Sequence, residues 1–469
     1  SSINKLILFF CMVKLSLHLF ADFYSGFQGD ELLHIETGNH LAFGYMEFPP
    51  VIGWLAYIQN LFHSSSVWVN HIFTHIASLL IIIILAKTTV ALGGKTKAVF
   101  LVLLCLLVAP CFGRSQQLFQ PVVFSQLFWL LSFYQLVRFV KKPCFKFLFF
   151  LTISVAFGCL TKYDMVFFIA GLMSLFFFKH TRVFLLRWPT LIYVFLFIAI
   201  LLPNFVWQYN YQFPVLKMFS RLYQTQLDNL SIVGVLKDIV ISFNPFTAIF
   251  WLPGLIFMFN SKDKLIFRPV AISISISILF LAFSKSKPYY FYPAVLCLVI
   301  FGAIWFEQKL LSFRKWIFYP VTVLLLLSGF ILIPFGLCLM PVGSFIKFAH
   351  IKEKDNRYPV HYQEYYSKLK WQNTLMALKS VYDSLPSPEK KDCLIWGKHY
   401  SQAGGVNLYR QQYGLPKAFS YHGSFYLWAA DSGELPKTVI AFSNGEAGID
   451  FFQSFFKTVI PVSRVYNAY

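Results

Sequence analysis

Long apolar runs alternate with short charged breaks through the first 340 or so residues. They centre on residues 5–21, 67–86, 98–113, 122–139, 145–161, 165–178, 189–206, 233–259, 269–284, 289–306 and 316–341. A helix that crosses a bilayer needs about 20 apolar residues, so these runs predict eleven spanning helices whose ends are defined to within a turn. From about residue 345 the pattern changes. Residues 361–385 carry an amphipathic helical repeat that Pro386 and Pro388 stop. Short apolar runs at 393–396, 418–421 and 439–442 then alternate with helical stretches, the signature of a small α/β domain. The expected fold class is a polytopic α-helical membrane domain over 1–344 followed by a soluble α/β domain over 345–469. No internal repeat is visible.

Composition excludes the alternative of three soluble domains. The chain is 57% apolar and 13% charged, with 56 Phe and a mean hydropathy of +0.61, against about 25% charged residues in an average soluble domain. The net charge of +20 would suggest a nucleic-acid partner in a soluble protein. Here the cations punctuate apolar runs, and topology explains them instead. One set of alternate loops holds Lys87, Lys95, Lys97, Arg138, Lys141, Lys142, Lys146, Lys179, Arg182, Arg187, Lys262, Lys264, Arg268, Lys309, Arg314 and Lys315, and Lys5 falls on the same side. The opposite set has only Arg114, Lys162, Lys217, Arg221, Lys237, Lys285 and Lys287. The positive-inside rule puts the amino terminus in the cytoplasm, and an odd number of spans then puts the carboxyl terminus outside. The opening apolar run resembles a signal peptide, but Ala21-Asp22-Phe23 is a poor cleavage site and the topology requires a helix there. The eight Cys show no metal-ligand spacing and no disulfide framework.

Acidic residues are distributed unevenly. Asp22, Asp30, Glu31, Glu36 and Glu47 all lie in a long first outer loop, residues 22–66, and Asp164, Asp228 and Asp238 map near the same face. Only Asp263 and Glu307 fall inside, so acid chemistry is concentrated on the outer side. Gly29-Asp30-Glu31 opens a helical stretch reaching about residue 43. A carboxylate there meets unpaired backbone N–H groups, which leaves two readings of Asp30, a helix cap or a reactive acid. Pro49-Pro50 opens a second helix, 51–62, whose Trp54 and Tyr57 suit the membrane interface. Arg114, Lys162, Arg221, Lys285 and Lys287 sit where they either snorkel to headgroups or bind a lipid phosphate. Lys162-Tyr163-Asp164 places both charges at one tight outer turn, as an ion pair or as part of a site. His34 and His40 read as polar partners within the loop.

Three stretches together resemble a known family. Gly29-Asp30-Glu31-Leu32, His40-Leu41-Ala42-Phe43-Gly44-Tyr45 and Glu47-Phe48-Pro49-Pro50 resemble the first outer loop of polyprenyl-phosphate-sugar glycosyltransferases of the C-type membrane fold. That class includes protein O-mannosyltransferases and the lipid A aminoarabinose transferase. Leu160-Thr161-Lys162-Tyr163 and Ser286-Lys287-Pro288-Tyr289-Tyr290-Phe291-Tyr292-Pro293-Ala294 extend the resemblance. So do Tyr409-Arg410-Gln411-Gln412-Tyr413-Gly414-Leu415-Pro416 and Phe425-Tyr426-Leu427-Trp428, which are similar to the tail of bacterial members.

The resemblance implies an inverting transferase. It would move a sugar from an undecaprenyl-phosphate type donor to a hydroxyl or phosphate of a surface glycolipid such as lipid A. The active site and tail would lie on the periplasmic side of a bacterial inner membrane. Asp30 is implied as the catalytic acid, supported by Glu31. Lys162, Lys287, Arg221, Arg114, Lys285 and Tyr289 are the candidate donor-phosphate residues. Two departures stand out. Many bacterial relatives carry an acid before the Phe-Trp of the fourth span, where this chain reads Ser125-Gln126-Leu127-Phe128-Trp129, so Asp164 is the candidate replacement. Phe48 stands where relatives often have Lys or His. A divalent metal is not excluded, with Glu47 as the weak candidate ligand. Membrane lipids and a glycolipid or protein acceptor are the expected partners, and nucleic acid is not. A protein O-mannosyltransferase-like enzyme is the alternative within the class. A transporter or glycolipid scaffold is the alternative outside it, although a transporter would show paired halves or broken midplane helices.

Overall fold

The computed structural model describes the whole chain except residues 1, 262, 430–435 and 445–448; Lys262, counted above among the inner cations, lies outside the described residues. The chain is a polytopic α-helical membrane protein. Seven described helices are long and apolar enough to cross a bilayer: Ser2–Tyr24, Ile72–Ala91, Pro121–Lys141, Thr190–Asn210, Lys264–Phe283, Pro288–Phe313 and Lys315–Phe335. Two further apolar pairs bend sharply, Met165–Phe177 with Lys179–Leu185 at 106° and Ile232–Ser242 with Pro245–Asn260 at 98°. Thr96–Val108 and Phe145–Thr161 are shorter apolar helices. The apolar runs of the sequence all coincide with these segments.

The chain divides into two compact units. One comprises Ser1–Phe20, Phe43–Val51 and Ile72–Leu337; the other comprises Ala21–Ala42, Ile52–His71 and Cys338–Tyr469. Most of the first loop therefore clusters with the tail, against which its Gly29–Thr37 helix packs, and its helices are too short to span lipid.

In the membrane unit the Pro288–Trp305 helix is the central member, with every residue from Phe291 to Ile304 buried. Among lipid tails there is no hydrophobic drive between helices, so close backbone approach has to supply the packing energy. Glycine supplies that approach. A Cβ at Gly302 would run into the Phe250 carbonyl, and one at Gly254 into the Leu298 carbonyl. The bend at residues 243–244 frees backbone groups that lipid cannot satisfy. Asn244, at φ 66°, covers it: its amide donates to Ser328 Oγ at 3.0 Å and Val108 O at 3.3 Å, and its Oδ1 accepts from Phe246 N at 3.2 Å. Glu307 has an equally local role. Its carboxylate accepts from the N–H groups of Lys95, Lys97 and Ala98 at 2.6–3.0 Å, capping the Thr96–Val108 helix.

The second unit contains a three-stranded parallel sheet. β1 (Cys393–Gly397) lies between β2 (Ala418–Phe419) and β3 (Thr438–Phe442), with Ile395 opposite both Ala418 and Ile440. The helical repeat at 361–385 forms the Ser367–Ser384 helix. The Tyr400–Tyr413 helix connects β1 to β2 and ends at Gly414, at φ 63°, where the left-handed region favours glycine. Gly404 and Gly405 let this helix approach two neighbours. A Cβ at Gly404 would lie 2.6 Å from the Leu32 carbonyl of the Gly29–Thr37 helix, and one at Gly405 would collide with the Trp371 ring. The Gly29–Thr37 helix of the first loop is thereby seated on the tail.

Gly302→Ala and Gly254→Ala are each expected to lower the melting temperature of the detergent-solubilised protein, with overpacking costing about 1–3 kcal/mol. Gly343→Ala meets nothing within 4 Å and serves as the neutral control. Equal melting of all three variants would contradict the close helix contact.

Candidate active site

The Gly29–Thr37 helix begins with a capping box that leaves Asp30 outside it. Gln28 is the cap; its Oε1 accepts from Asp30 N at 2.8 Å, and the Glu31 carboxylate accepts from Gln28 N at 2.7 Å. Of the two readings of Asp30, the cap is therefore taken by its neighbours. The half-buried Asp30 carboxylate instead accepts a hydrogen bond from the Tyr400 hydroxyl at 2.6 Å on Oδ1, with Gln28 Nε2 3.5 Å from Oδ2.

Glu31 is fully buried and has a different role. Its second oxygen lies 2.7 Å from His71 Nε2, while His71 Nδ1 lies 2.6 Å from Asp22 Oδ1, and all three side chains are shielded from solvent. Burial alone would lower the His71 pKa, but the carboxylates of Glu31 and Asp22 outweigh it and raise the value to about 10. The imidazolium donates from both nitrogens and ties the end of the first helix to the start of the second. His40 lies 3.4 Å from Glu36 and stacks on Trp428 at 4.3 Å, so it is a polar partner within this unit. Glu36 also accepts from Asn407 of the tail at 3.1 Å.

Because the folded His71 pKa lies above the unfolded value, its contribution is complete below about pH 6.5 and is lost as pH rises through about 10. Melting temperature should decline across that window in the native protein and stay flat in His71→Gln. The variant should also lose about 3–5 kcal/mol, because two buried carboxylates are left without their cation. A pH-independent native melting curve would contradict a charged His71.

The membrane unit gathers a second cluster at the turn between the Phe145–Thr161 and Met165–Leu172 helices. Lys162 Nζ pairs with Asp164 Oδ2 at 2.9 Å, and the Ser125 hydroxyl donates to the same carboxylate at 3.0 and 3.3 Å. Asp164 thus bonds Ser125, the position at which the sequence departs from the pattern the resemblance implies. The Lys162 ammonium lies 3.4 Å from the Tyr290 ring centroid and 4.9 Å from that of Tyr289, an aromatic wall that holds a cation without neutralising it. Tyr163 is anchored behind this cluster, its hydroxyl accepting from Gln208 Nε2 at 3.0 Å. If Asp164 serves only as the counter-ion, Lys162→Met with Asp164→Leu should recover more donor binding than either single change. A double variant no better than the worse single one would assign both charges to the site.

The other candidates are placed differently. Lys285 pairs with Asp228 at 2.6 Å, which holds that exposed carboxylate below its usual pKa. Lys287 donates to Gln226 Oε1 at 2.5 Å. Both therefore contact the turn that follows the Pro214–Leu222 helix carrying Arg221. Arg114 lies in the short Pro110–Ser115 helix. Glu47 is half-buried and belongs to no set of three ligand-type side chains among the described residues. Phe48 is buried against Tyr45, with ring centroids 5.4 Å apart, which accounts for an apolar residue at that position. Sequence reasoning missed Tyr400, Tyr290 and His71. An ionisable side chain at the start of an apolar run was the signal available for His71; none was available for Tyr400, 370 positions from its partner.

Residues 47–207 match the family model described as dolichyl-phosphate-mannose-protein mannosyltransferase. No curated protein matches the sequence. The chain is similar in structure to ArnT from Cupriavidus metallidurans in the apo state, at 13% identity and a TM-score of 0.57, over 92% of this chain and 88% of that one. It is also similar to ArnT from the same organism bound to undecaprenyl phosphate, at 14% identity and a TM-score of 0.59, over 96% of this chain and 90% of that one. The chain thus shares the fold of ArnT along nearly its whole length, and its residues 47–207 match the mannosyltransferase family model.

Proposed function

We propose that the enzyme transfers one sugar from a polyprenyl phosphate to an acceptor hydroxyl, with inversion at the anomeric carbon, on the outer face of a bacterial inner membrane. In this reading the N-terminus is cytoplasmic and the chain crosses the bilayer eleven times. The acceptor oxygen attacks the anomeric carbon, its proton passes to Asp30, and the bond to the phosphate oxygen breaks. Lys162 takes the charge that develops on the departing phosphate, helped by Lys287, Arg221, Arg114 and Lys285. Glu31 acts as a positioning residue, since its carboxylate is committed to the helix cap and to His71. Asp164 orients Lys162.

The observation that carries this reading is Asp30 itself. A carboxylate at a helix N-terminus is ordinarily consumed by capping, and here Gln28 and Glu31 do the capping while Asp30 stays half-buried, with Oδ1 held at 2.6 Å by Tyr400 and Oδ2 only by the 3.5 Å contact to Gln28. The likeness to ArnT bound to undecaprenyl phosphate supports a polyprenyl-phosphate donor of the undecaprenyl type. A surface glycolipid such as lipid A is the acceptor this reading favours. A protein acceptor is the second reading, favoured by the mannosyltransferase description of the family matched at 47–207.

Purified enzyme given labelled undecaprenyl-phosphate sugars should consume donor only when acceptor is present, and glycolipid and protein acceptors offered in parallel separate the two readings. Asp30→Asn should cut turnover by about 10²–10⁴-fold, the usual contribution of a general base, while donor lipid still binds. Turnover preserved in that variant would rule out Asp30 as the base.

A further inference from the structure

The Asp30 carboxylate is held by a residue of the tail, and the way that residue is itself held is informative. Tyr400 opens the Tyr400–Tyr413 helix, whose N-terminus is closed by a reciprocal cap. His399 Nδ1 accepts from Ser401 N at 3.2 Å, and Gln402 Oε1 accepts from His399 N at 2.9 Å. Burial and the neighbouring His422 lower the His399 pKa to about 4, against the opposing pull of Asp30, so at neutral pH the imidazole is uncharged and able to accept. The phenol ring packs against two imidazoles that also touch each other, with 4.5 Å between the His399 and His422 centroids. His422 stacks on it at 4.9 Å with planes 15° apart, and His399 lies 3.9 Å away, tilted by 44°. Packed against this imidazole pair, the ring directs its hydroxyl to Asp30 Oδ1 at 2.6 Å, the length of a charge-assisted bond.

A general base accelerates a reaction only when the accepting oxygen is within hydrogen-bond reach of the proton it takes, and a carboxylate on a rotatable Cβ–Cγ bond offers its two oxygens interchangeably. From this geometry we infer that Tyr400 is a positioning residue for the transfer reaction: its hydroxyl fixes Oδ1 of Asp30 at 2.6 Å, so that Oδ2, which has the long 3.5 Å contact from Gln28 Nε2, is presented to the acceptor. The tail then contributes to the catalytic apparatus and does more than cover it. His399 and His422 act one step further back, by holding the ring.

The inference rests on Asp30 as the base, and the test separates the two. Tyr400→Phe keeps the ring against the imidazole pair and removes only the hydroxyl. Its kcat should fall about tenfold, the scale of one hydrogen bond to a charged group, with donor KM and donor-lipid affinity unchanged. Replacing Tyr400 site-specifically with 4-aminophenylalanine restores a donor at the same place and should recover most of the lost kcat. Wild-type kcat in Tyr400→Phe overturns the inference, as does a loss of kcat matched by an equal loss of donor affinity, or a failure of the amino analogue to rescue a variant that still binds donor. Asp30→Asn distinguishes the failures. An inactive Asp30→Asn beside a fully active Tyr400→Phe removes only the role of Tyr400, whereas an active Asp30→Asn removes the base and this inference with it.

Discussion

The second unit depends on one buried imidazolium between two buried carboxylates. His71 reaches Asp22 on one side and Glu31 on the other, at 2.6 and 2.7 Å, with no solvent at any of the three. Isolated buried charges are costly, and the arrangement is tolerable only because each charge meets an opposite one through a well-formed hydrogen bond. Its consequence is positional. Glu31 can cap its own helix with one oxygen only while His71 holds the other, and that cap orients the helix whose second residue is Asp30. The Asp30 carboxylate is therefore placed by a network in which it takes no part.

Glycine performs the corresponding task wherever backbones must touch. Gly404 admits the Leu32 carbonyl and so seats the first-loop helix on the Tyr400–Tyr413 helix, which brings Tyr400 and Asp30 into hydrogen-bond distance. In the membrane unit Gly254 and Gly302 let the Ala248–Asn260 helix lie against the central Pro288–Trp305 helix. That central helix carries Tyr289 and Tyr290 at its start, so the packing that stabilises it also fixes the aromatic wall beside Lys162. Stability and site geometry are coupled through the same few residues.

The membrane cluster also shows how a departure in sequence is accommodated. Ser125 offers a hydroxyl, and Asp164 from the neighbouring turn supplies a carboxylate at 3.0 Å from it. The negative charge beside Lys162 comes from its own turn. The serine is small enough to let the carboxylate approach and polar enough to satisfy it.

Much of this was determined by the sequence. Apolar periodicity marked the helices, because burial in lipid demands long unbroken apolar runs whatever the tertiary packing. The three tail strands and the Ser367–Ser384 helix were legible for a related reason: local alternation and proline stops act within a few residues. The turn bearing Lys162 and Asp164 and the helix start bearing Asp30 were also visible, since both are local. What tertiary structure alone decided is which groups meet. Tyr400 reaches Asp30 across 370 positions, Lys162 finds its aromatic wall in Tyr289 and Tyr290, and Asp22 meets Glu31 through His71. No periodicity encodes such contacts, because hydrogen bonds and ring contacts depend on side-chain positions fixed to a fraction of an ångström by packing between elements far apart in the chain.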